Sequence, residues 1–302
     1  MKRIGGLFDR IHRLETLDAA LWRAARGKRS GTRAAGASIW PSERLNRLSE
    51  ALRRGEFRFD AYTSFEIRDP KSRTIRAPSF RDRVVHHAII EATGATFERG
   101  ALPNCFACRL GRGQHAAIAM ARRWARVSEG FLKVDIAKYY DSIDHARLRQ
   151  LLRRRFREER LLELFDRLID SYSLSPKKGL PIGALTSQYL ANFYLDPVDH
   201  WLREVESQHR TLRYMDDILI FGPLRELREV RLRLLGRLAL HGLQAKAGGV
   251  LNRSALGVPW LGFTVYPDRI RLNPSGRRRL RRKLRSAERE YERGLVSTET
   301  LV

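Results

Sequence analysis

Leu212-Arg213-Tyr214-Met215-Asp216-Asp217-Ile218-Leu219-Ile220-Phe221 sets two adjacent carboxylates between two apolar, strand-forming runs. The pattern predicts a β-hairpin whose turn carries both acids. Asp is common in turns, where it is usually solvated and chemically idle. Crowded carboxylates can also be offset by a cation, either an arginine or a divalent metal. The pair alone does not choose between these readings.

A third carboxylate stands on another candidate strand, Phe131-Leu132-Lys133-Val134-Asp135-Ile136. Leu132, Val134 and Ile136 share one face, Lys133 and Asp135 the other, and Asp135 falls near the strand end. If Asp135, Asp216 and Asp217 converge at the ends of neighbouring strands, they can hold two Mg²⁺ ions. One ion would activate an attacking oxygen and the other would steady a pyrophosphate leaving group.

The remaining chain reads as helices and short strands. Residues 1 to 38 are helical and basic, ending in a Gly/Ser/Ala-rich stretch that looks mobile. Pro41-Ser42-Glu43 opens a helix with Leu45, Leu48 and Leu52 on one face. Phe57 to Ile67 alternates as a strand, and Thr74 to Pro78 returns, so a basic hairpin tip presents Lys71 and Arg73. Residues 82 to 98 fit a buried helix, with Ser79 or Asp82 near its start. The loop Lys177 to Gly183 leads into one helix from about Ala184 to Arg203, and another helix covers Leu227 to Leu240. Val258 to Val265 predicts a short strand pair. From Pro274 to Arg293, Leu280, Leu284, Ala287 and Tyr291 form a stripe expected to pack, amid arginines expected to meet phosphate.

Composition narrows the partners. The 302 residues hold 59 Lys and Arg against 34 Asp and Glu, a net charge of +25, with a pI near 11.1. So large a positive charge favours a nucleic-acid partner. No long apolar run and no basic, lipid-facing helix supports a membrane partner, and the N-terminus lacks a signal-peptide core, so the expected compartment is the cytoplasm. Cys105 and Cys108 lack a second pair or histidines at finger-like spacing, so reduced cysteines are expected rather than zinc.

Taken together the blocks resemble reverse transcriptases. Tyr214-Met215-Asp216-Asp217 is that family's signature. In the family's order come a fingers-like block from Arg73 to Arg83, a first palm-like motif from Phe131 to His145, a primer-grip-like Val258-Pro259-Trp260-Leu261-Gly262-Phe263 and a thumb-like basic helix. The resemblance implies an α+β right-hand polymerase with an antiparallel palm sheet packed by helices. Its divisions would be a basic N-terminal extension at 1–40, fingers at 41–130, palm at 131–270 with a fingers segment at about 146–182, and a short thumb at 271–302. No RNase H, endonuclease or maturase segment is expected after the thumb.

Residue by residue, the resemblance makes Asp135, Asp216 and Asp217 the ligands of two Mg²⁺ ions, with Mn²⁺ able to substitute. Lys71 and Arg73 would meet the nucleoside triphosphate, and Tyr140 would block a ribose 2′-hydroxyl. Trp260, Gly262, Arg277, Arg278 and Arg281 would contact template and primer. Lys246 would be the general acid, although glycines stand where the family usually places its lysine. In Leu180-Pro181-Ile182-Gly183-Ala184-Leu185-Thr186-Ser187-Gln188, Ile182 and Gln188 replace the usual Gln and Pro, with Gly183 between them. That form is similar to diversity-generating retroelement reverse transcriptases. It implies adenine-directed errors, a template RNA, a cDNA product and a small basic accessory variability protein. Intron-type or phage-defence reverse transcriptases are the near alternatives, and a polymerase-derived RNA-binding protein without catalysis is the distant one.

Overall fold

The computed structural model describes residues 3–26, 40–68 and 72–295. The Gly/Ser/Ala-rich stretch after residue 26 lies outside them, as does Lys71 at the hairpin tip. Nine strands form three antiparallel sheets among the described residues.

The central sheet has the order β4 (Arg210–Tyr214), β5 (Asp217–Gly222), β3 (Gly130–Asp135) and β6 (Val250–Arg253). Side chains alternate between its faces. Leu132, Val134, Ile218 and Ile220 enter the principal core, while Phe131, Leu212, Leu219 and Phe221 enter a second core. The unbroken apolar run of β5 is explained by this double burial. Helix Gln114–Ala125 and strand β7 (Val258–Trp260) cover the second face through Ala117, Ile118, Ala121, Val258 and Trp260. That same face carries Lys133, Asp135 and Asp217 towards the other end of the strands, by register.

The principal core gathers helices Leu14–Ala25, Ser42–Arg53, Phe80–Gly100, His145–Arg155, Glu159–Asp170 and Leu185–Tyr194. The amino-terminal helices belong to this core, with Phe8, Ile11, Leu17 and Leu21 all buried. Burial of each such side chain contributes about 1.5–3 kcal/mol before entropic losses. Ser79 caps the long helix Phe80–Gly100, its hydroxyl accepting from the Asp82 N–H at 3.2 Å.

Several sequence expectations change. Only Thr63–Arg68 forms strand β1, because its partner β2 (Ser72–Ala77) is six residues long and pairs with no more. Phe57 and Phe59 pack edge to face at 5.0 Å instead. The single helix expected from Ala184 to Arg203 is two, Leu185–Tyr194 and Asp196–Glu204. Pro197 lacks an N–H and is tolerated only in a first turn, so the helix restarts there. The Val258–Val265 pair gains a third strand, giving β7, β8 (Phe263–Val265) and β9 (Ile270–Leu272). A three-residue strand is too short to show periodicity.

The terminal helix Pro274–Glu292 contains no buried residue, and Leu280 and Leu284 are 47% and 53% exposed. Its stripe therefore is not buried as expected: Leu280 lines an open groove with Leu261, Phe263 and Leu272 instead of closing against them. No helix among the described residues is long and apolar enough to cross a membrane.

Candidate active site

Asp135 ends β3, and Asp217 begins β5 directly opposite it in the antiparallel register. Side chains so paired have Cβ atoms roughly 4.5–5.5 Å apart on one face. Asp216 occupies the two-residue turn with Met215, since Tyr214 pairs with Asp217. Met215 has φ of 54°, a left-handed conformation that costs a non-glycine residue roughly 1–2 kcal/mol. Such an outlier persists only where its surroundings impose it. The Ile136 N–H donates to the Asp216 carbonyl at 3.2 Å, which ties the turn to the end of β3. The expected hairpin thus brings all three carboxylates to one sheet end.

The carboxyls of Asp216 and Asp217 are both shifted. Burial first, then Asp217 and Asp135, push the Asp216 carboxyl up to about 6, and Arg73 opposes the rise. Burial also raises Asp217; Lys133 and Lys246 oppose that rise, and Asp135 adds to it. Lys133 Nζ lies 3.1 Å from Asp217 Oδ1 as an ion pair without the alignment of a directed hydrogen bond. Sequence motifs did not single out Lys133 as functional. Its two-residue spacing from Asp135 was the signal, since residues i and i+2 share a strand face.

No three His, Cys, Asp or Glu side chains among the described residues form a ready-made metal cage. Mg²⁺ does not need one, because it is bound by one or two carboxylates together with water and substrate phosphates. Three hard oxygen donors, with Asp216 destabilised as an anion by its neighbours, fit such a cation.

The surrounding expected residues fall in different places. Arg73, on β2, is exposed and its charge is felt at Asp216 and Tyr140. Tyr140 lies half-buried in the short helix Tyr139–Ser142, entered through Lys138 at φ 45°. Burial raises its phenol well above the usual range. The Leu180 N–H donates to the Tyr140 carbonyl at 2.9 Å, and the Arg76 N–H donates to the Ile182 carbonyl at 2.7 Å. These bonds tie the Ile182–Gly183 loop to both the Tyr140 turn and β2. Gly183 has φ of 120°. Gln188 is exposed, and its Oε1 accepts from the Cys108 thiol at 3.5 Å. Lys246 is exposed in the turn after Ala245, which bridges Ile136.

Trp260 corrects an expectation. Its side chain is 1% exposed and belongs to the second core, so the indole does not face a primer. Pro259 and Gly262 are the exposed residues of that hairpin, and its turn residues Leu261, half-buried, and Gly262 have φ of 46° and 84°. With the terminal helix, Leu261 and Gly262 line a groove of about 500 Å³ that includes Arg279 and Lys283. Arg277, Arg278 and Arg281 are exposed on that helix. Both cysteines are free, Cys105 buried against Asn192, with a 3.7 Å contact to its Oδ1.

Comparison with known proteins gives a consistent picture. The profile of the family described as reverse transcriptase (RNA-dependent DNA polymerase) matches residues 67–265. The chain is 25% identical over 193 residues to a putative COX1/OXI3 intron 1 protein of Saccharomyces cerevisiae, covering 58% of this chain and 23% of that protein. It is 27% identical over 151 residues to protein YkfC of Escherichia coli, covering 44% of this chain and 38% of YkfC. The chain thus spans well under half of these relatives. Among solved structures, apo telomerase of Candida tropicalis, truncated of its C-terminal domain, superposes with a TM-score of 0.55 at 12% identity, covering 78% of this chain and 60% of that one. Telomerase of Candida albicans in complex with a telomeric RNA fragment gives 0.53 at 11%, covering 78% and 52%. At that identity the likeness is one of fold, and the mixed architecture with antiparallel sheets is that of a right-hand polymerase.

Proposed function

The chain belongs to the reverse transcriptase (RNA-dependent DNA polymerase) family, and from that membership we propose that it copies an RNA template into DNA at the carboxylate end of the β3–β5 pair. The observation that carries the reading is the register pair of Asp135 with Asp217 beside the Asp216 turn.

In this reading Asp135, Asp216 and Asp217 hold two Mg²⁺ ions, for which Mn²⁺ can substitute. When bound, the ions supply activation of the primer 3′-oxygen and neutralisation of the pyrophosphate. The chain's own groups do the rest. Arg73 approaches the triphosphate from β2, where guanidinium donors match phosphate oxygens, and Lys71, outside the described residues, is assigned to the same triphosphate by its place in the sequence alone. Tyr140 sets a ring against the sugar and excludes a 2′-hydroxyl. Lys133 offsets the charge at Asp217, which favours its ionised form. Lys246 is the candidate proton donor to the leaving pyrophosphate. Gly262, Arg277, Arg278 and Arg281 track the template and primer by their exposure on the groove and helix. The divisions follow as fingers at 41–130, palm at 131–270 with a fingers segment near 146–182, and thumb from 271, preceded by the N-terminal 1–40, and the compartment as the cytoplasm.

Asp216→Asn tests the reading directly. Purified protein given RNA template, primer, dNTPs and Mg²⁺ should make cDNA, and the variant should make none. Undiminished synthesis by Asp216→Asn would remove the metal-ligand assignment.

The finer reading is a diversity-generating retroelement enzyme, error-prone at template adenines and partnered by a small basic accessory protein. It rests on Ile182 and Gln188. A glutamine at position 182 could hydrogen-bond the nucleotide and hold its pose, whereas isoleucine offers dispersion contacts alone. An intron-type enzyme is the second reading, favoured because relatives are named as intron proteins. Sequenced cDNA discriminates: Ile182→Gln should lower misincorporation opposite adenine, and identical error spectra would refute the role given to Ile182.

A further inference from the structure

Arg213 lies two residues before the Met215 turn, and its side chain is only 1% exposed. A guanidinium has five N–H donors, and here each finds an acceptor. Nε is 2.8 Å from both carboxylate oxygens of Asp199, and Nη2 is 2.6 Å from Asp199 Oδ2. Nη1 donates to Asn192 Oδ1 at 2.9 Å, and Nη2 to the Asn192 carbonyl at 3.1 Å. The remaining Nη1 donor reaches the Met215 carbonyl at 3.1 Å.

That last contact touches the candidate active site. The Met215 C=O and the Asp216 N–H belong to one planar peptide unit, and the Asp216 carbonyl beyond it is tied to the end of β3 by the Ile136 N–H at 3.2 Å. Holding the Met215 carbonyl therefore fixes the plane of the peptide that leads into Asp216, and with it the backbone from which that side chain departs. The hold acts on a residue at φ 54°, where the backbone would otherwise relax. A simple core ion pair would need only Asp199. Arg213 also ties in helix Leu185–Tyr194 through Asn192 and helix Asp196–Glu204 through Asp199, so both helices bear on the turn.

Resting on the polymerase reading above, we infer that Arg213 is a positioning residue: it grips the Met215–Asp216 peptide and so sets the direction in which Asp216 presents its carboxylate to a divalent cation. Lysine cannot replace it, because three donors on a flexible stem cannot reproduce a planar fork bound to three residues.

The test must separate position from stability. Removing Arg213 alone strands a buried Asp199, which is strongly destabilising. Arg213→Met combined with Asp199→Leu removes both charges, and replacement of a buried pair by apolar residues is often neutral for the fold. Three measurements on the full chain decide: thermal melting, Mn²⁺ binding without nucleic acid followed by electron paramagnetic resonance, and primer extension. The double variant should melt near the wild type, yet bind Mn²⁺ about tenfold more weakly or worse, the scale of losing a group that orients a ligand. Its kcat should fall while KM for template–primer holds. Arg213→Lys, which keeps a cation beside Asp199, should show the same Mn²⁺ loss and serves if the double variant does not fold. Wild-type Mn²⁺ affinity in either folded variant overturns the inference. Wild-type protein that binds Mn²⁺ but makes no cDNA counts against the polymerase reading, while the Mn²⁺ shift between variants still decides the role of Arg213.

Discussion

Gly183→Ala probes the loop that joins the hairpin β1–β2 to the candidate nucleotide site. Gly183 sits at φ 120°, a region that an alanine tolerates only at roughly 1–3 kcal/mol. A Cβ there would also lie 2.8 Å from Ile75 Cγ2 and 3.2 Å from the Arg76 carbonyl. The first approach is closer than real contacts allow, and such overpacking costs about 1–3 kcal/mol. Both effects push the loop away from β2, against the 2.7 Å bond from Arg76 N–H to the Ile182 carbonyl. If only about 2 kcal/mol of this reaches the nucleotide-bound arrangement, kcat/KM falls about 30-fold. Single-nucleotide primer extension over a range of dNTP concentrations measures it. Ile75→Ala removes the clashing methyl but not the backbone strain, so the double variant Gly183→Ala/Ile75→Ala should regain about five- to tenfold of the loss. Gly183→Ala activity within about threefold of wild type would refute the backbone argument. A double variant no better than Gly183→Ala would refute the steric one.

Two further perturbations test the core and the terminal helix. Burial holds the His86 imidazole down to about 3 from 6.5, so between those values the unfolded chain binds the proton and the folded chain does not, and stability falls as pH falls. From pH 7 to 5 this amounts to about 2 kcal/mol. His86→Asn, which keeps a partner for the Thr186 hydroxyl now 2.6 Å from Nδ1, should flatten the pH dependence of urea unfolding by that amount; an unchanged dependence refutes the account. Replacing Arg277, Arg278 and Arg281 together by Ala should lower the salt slope of RNA or DNA binding by about 2 to 3, near 0.7–0.9 per lost phosphate contact. The melting temperature should not change, since no residue of that helix is buried. Fluorescence anisotropy at several salt concentrations measures the slope, and an unaltered slope would remove these arginines from the binding surface.

Local pattern carried far in this chain wherever neighbours along the sequence are also neighbours in space. The period-two alternation around Lys133 and Asp135, and the acids between apolar runs at 212–221, sufficed to place three carboxylates on strands and a turn. Ser79 and the glycine-punctuated loop before Leu185 marked their boundaries in the same local way. Where chemistry depended on partners distant in sequence, the letters were silent. Phe57 and Phe59 alternate like strand residues but have no strand to pair with, and the stripe at Leu280 and Leu284 is amphipathic yet remains about half exposed. Trp260 sits in a motif expected to face the primer, yet the close packing of the second core takes its indole inward.

The sequence by itself determined the identity of the acidic groups, the strands that carry them and the excess of cations suited to a polyanion. Those follow from charge, alternation and turn chemistry, all of which are properties of adjacent residues. Tertiary structure alone decided that Asp135 stands opposite Asp217, that Lys133 lies beside Asp217, and that Arg213, buried and bonded to Asp199 and Asn192, reaches the Met215 carbonyl. Register and burial are relations between segments well separated along the chain. A guanidinium written two positions before a turn reads as a surface charge until the helices packed around it have excluded the water.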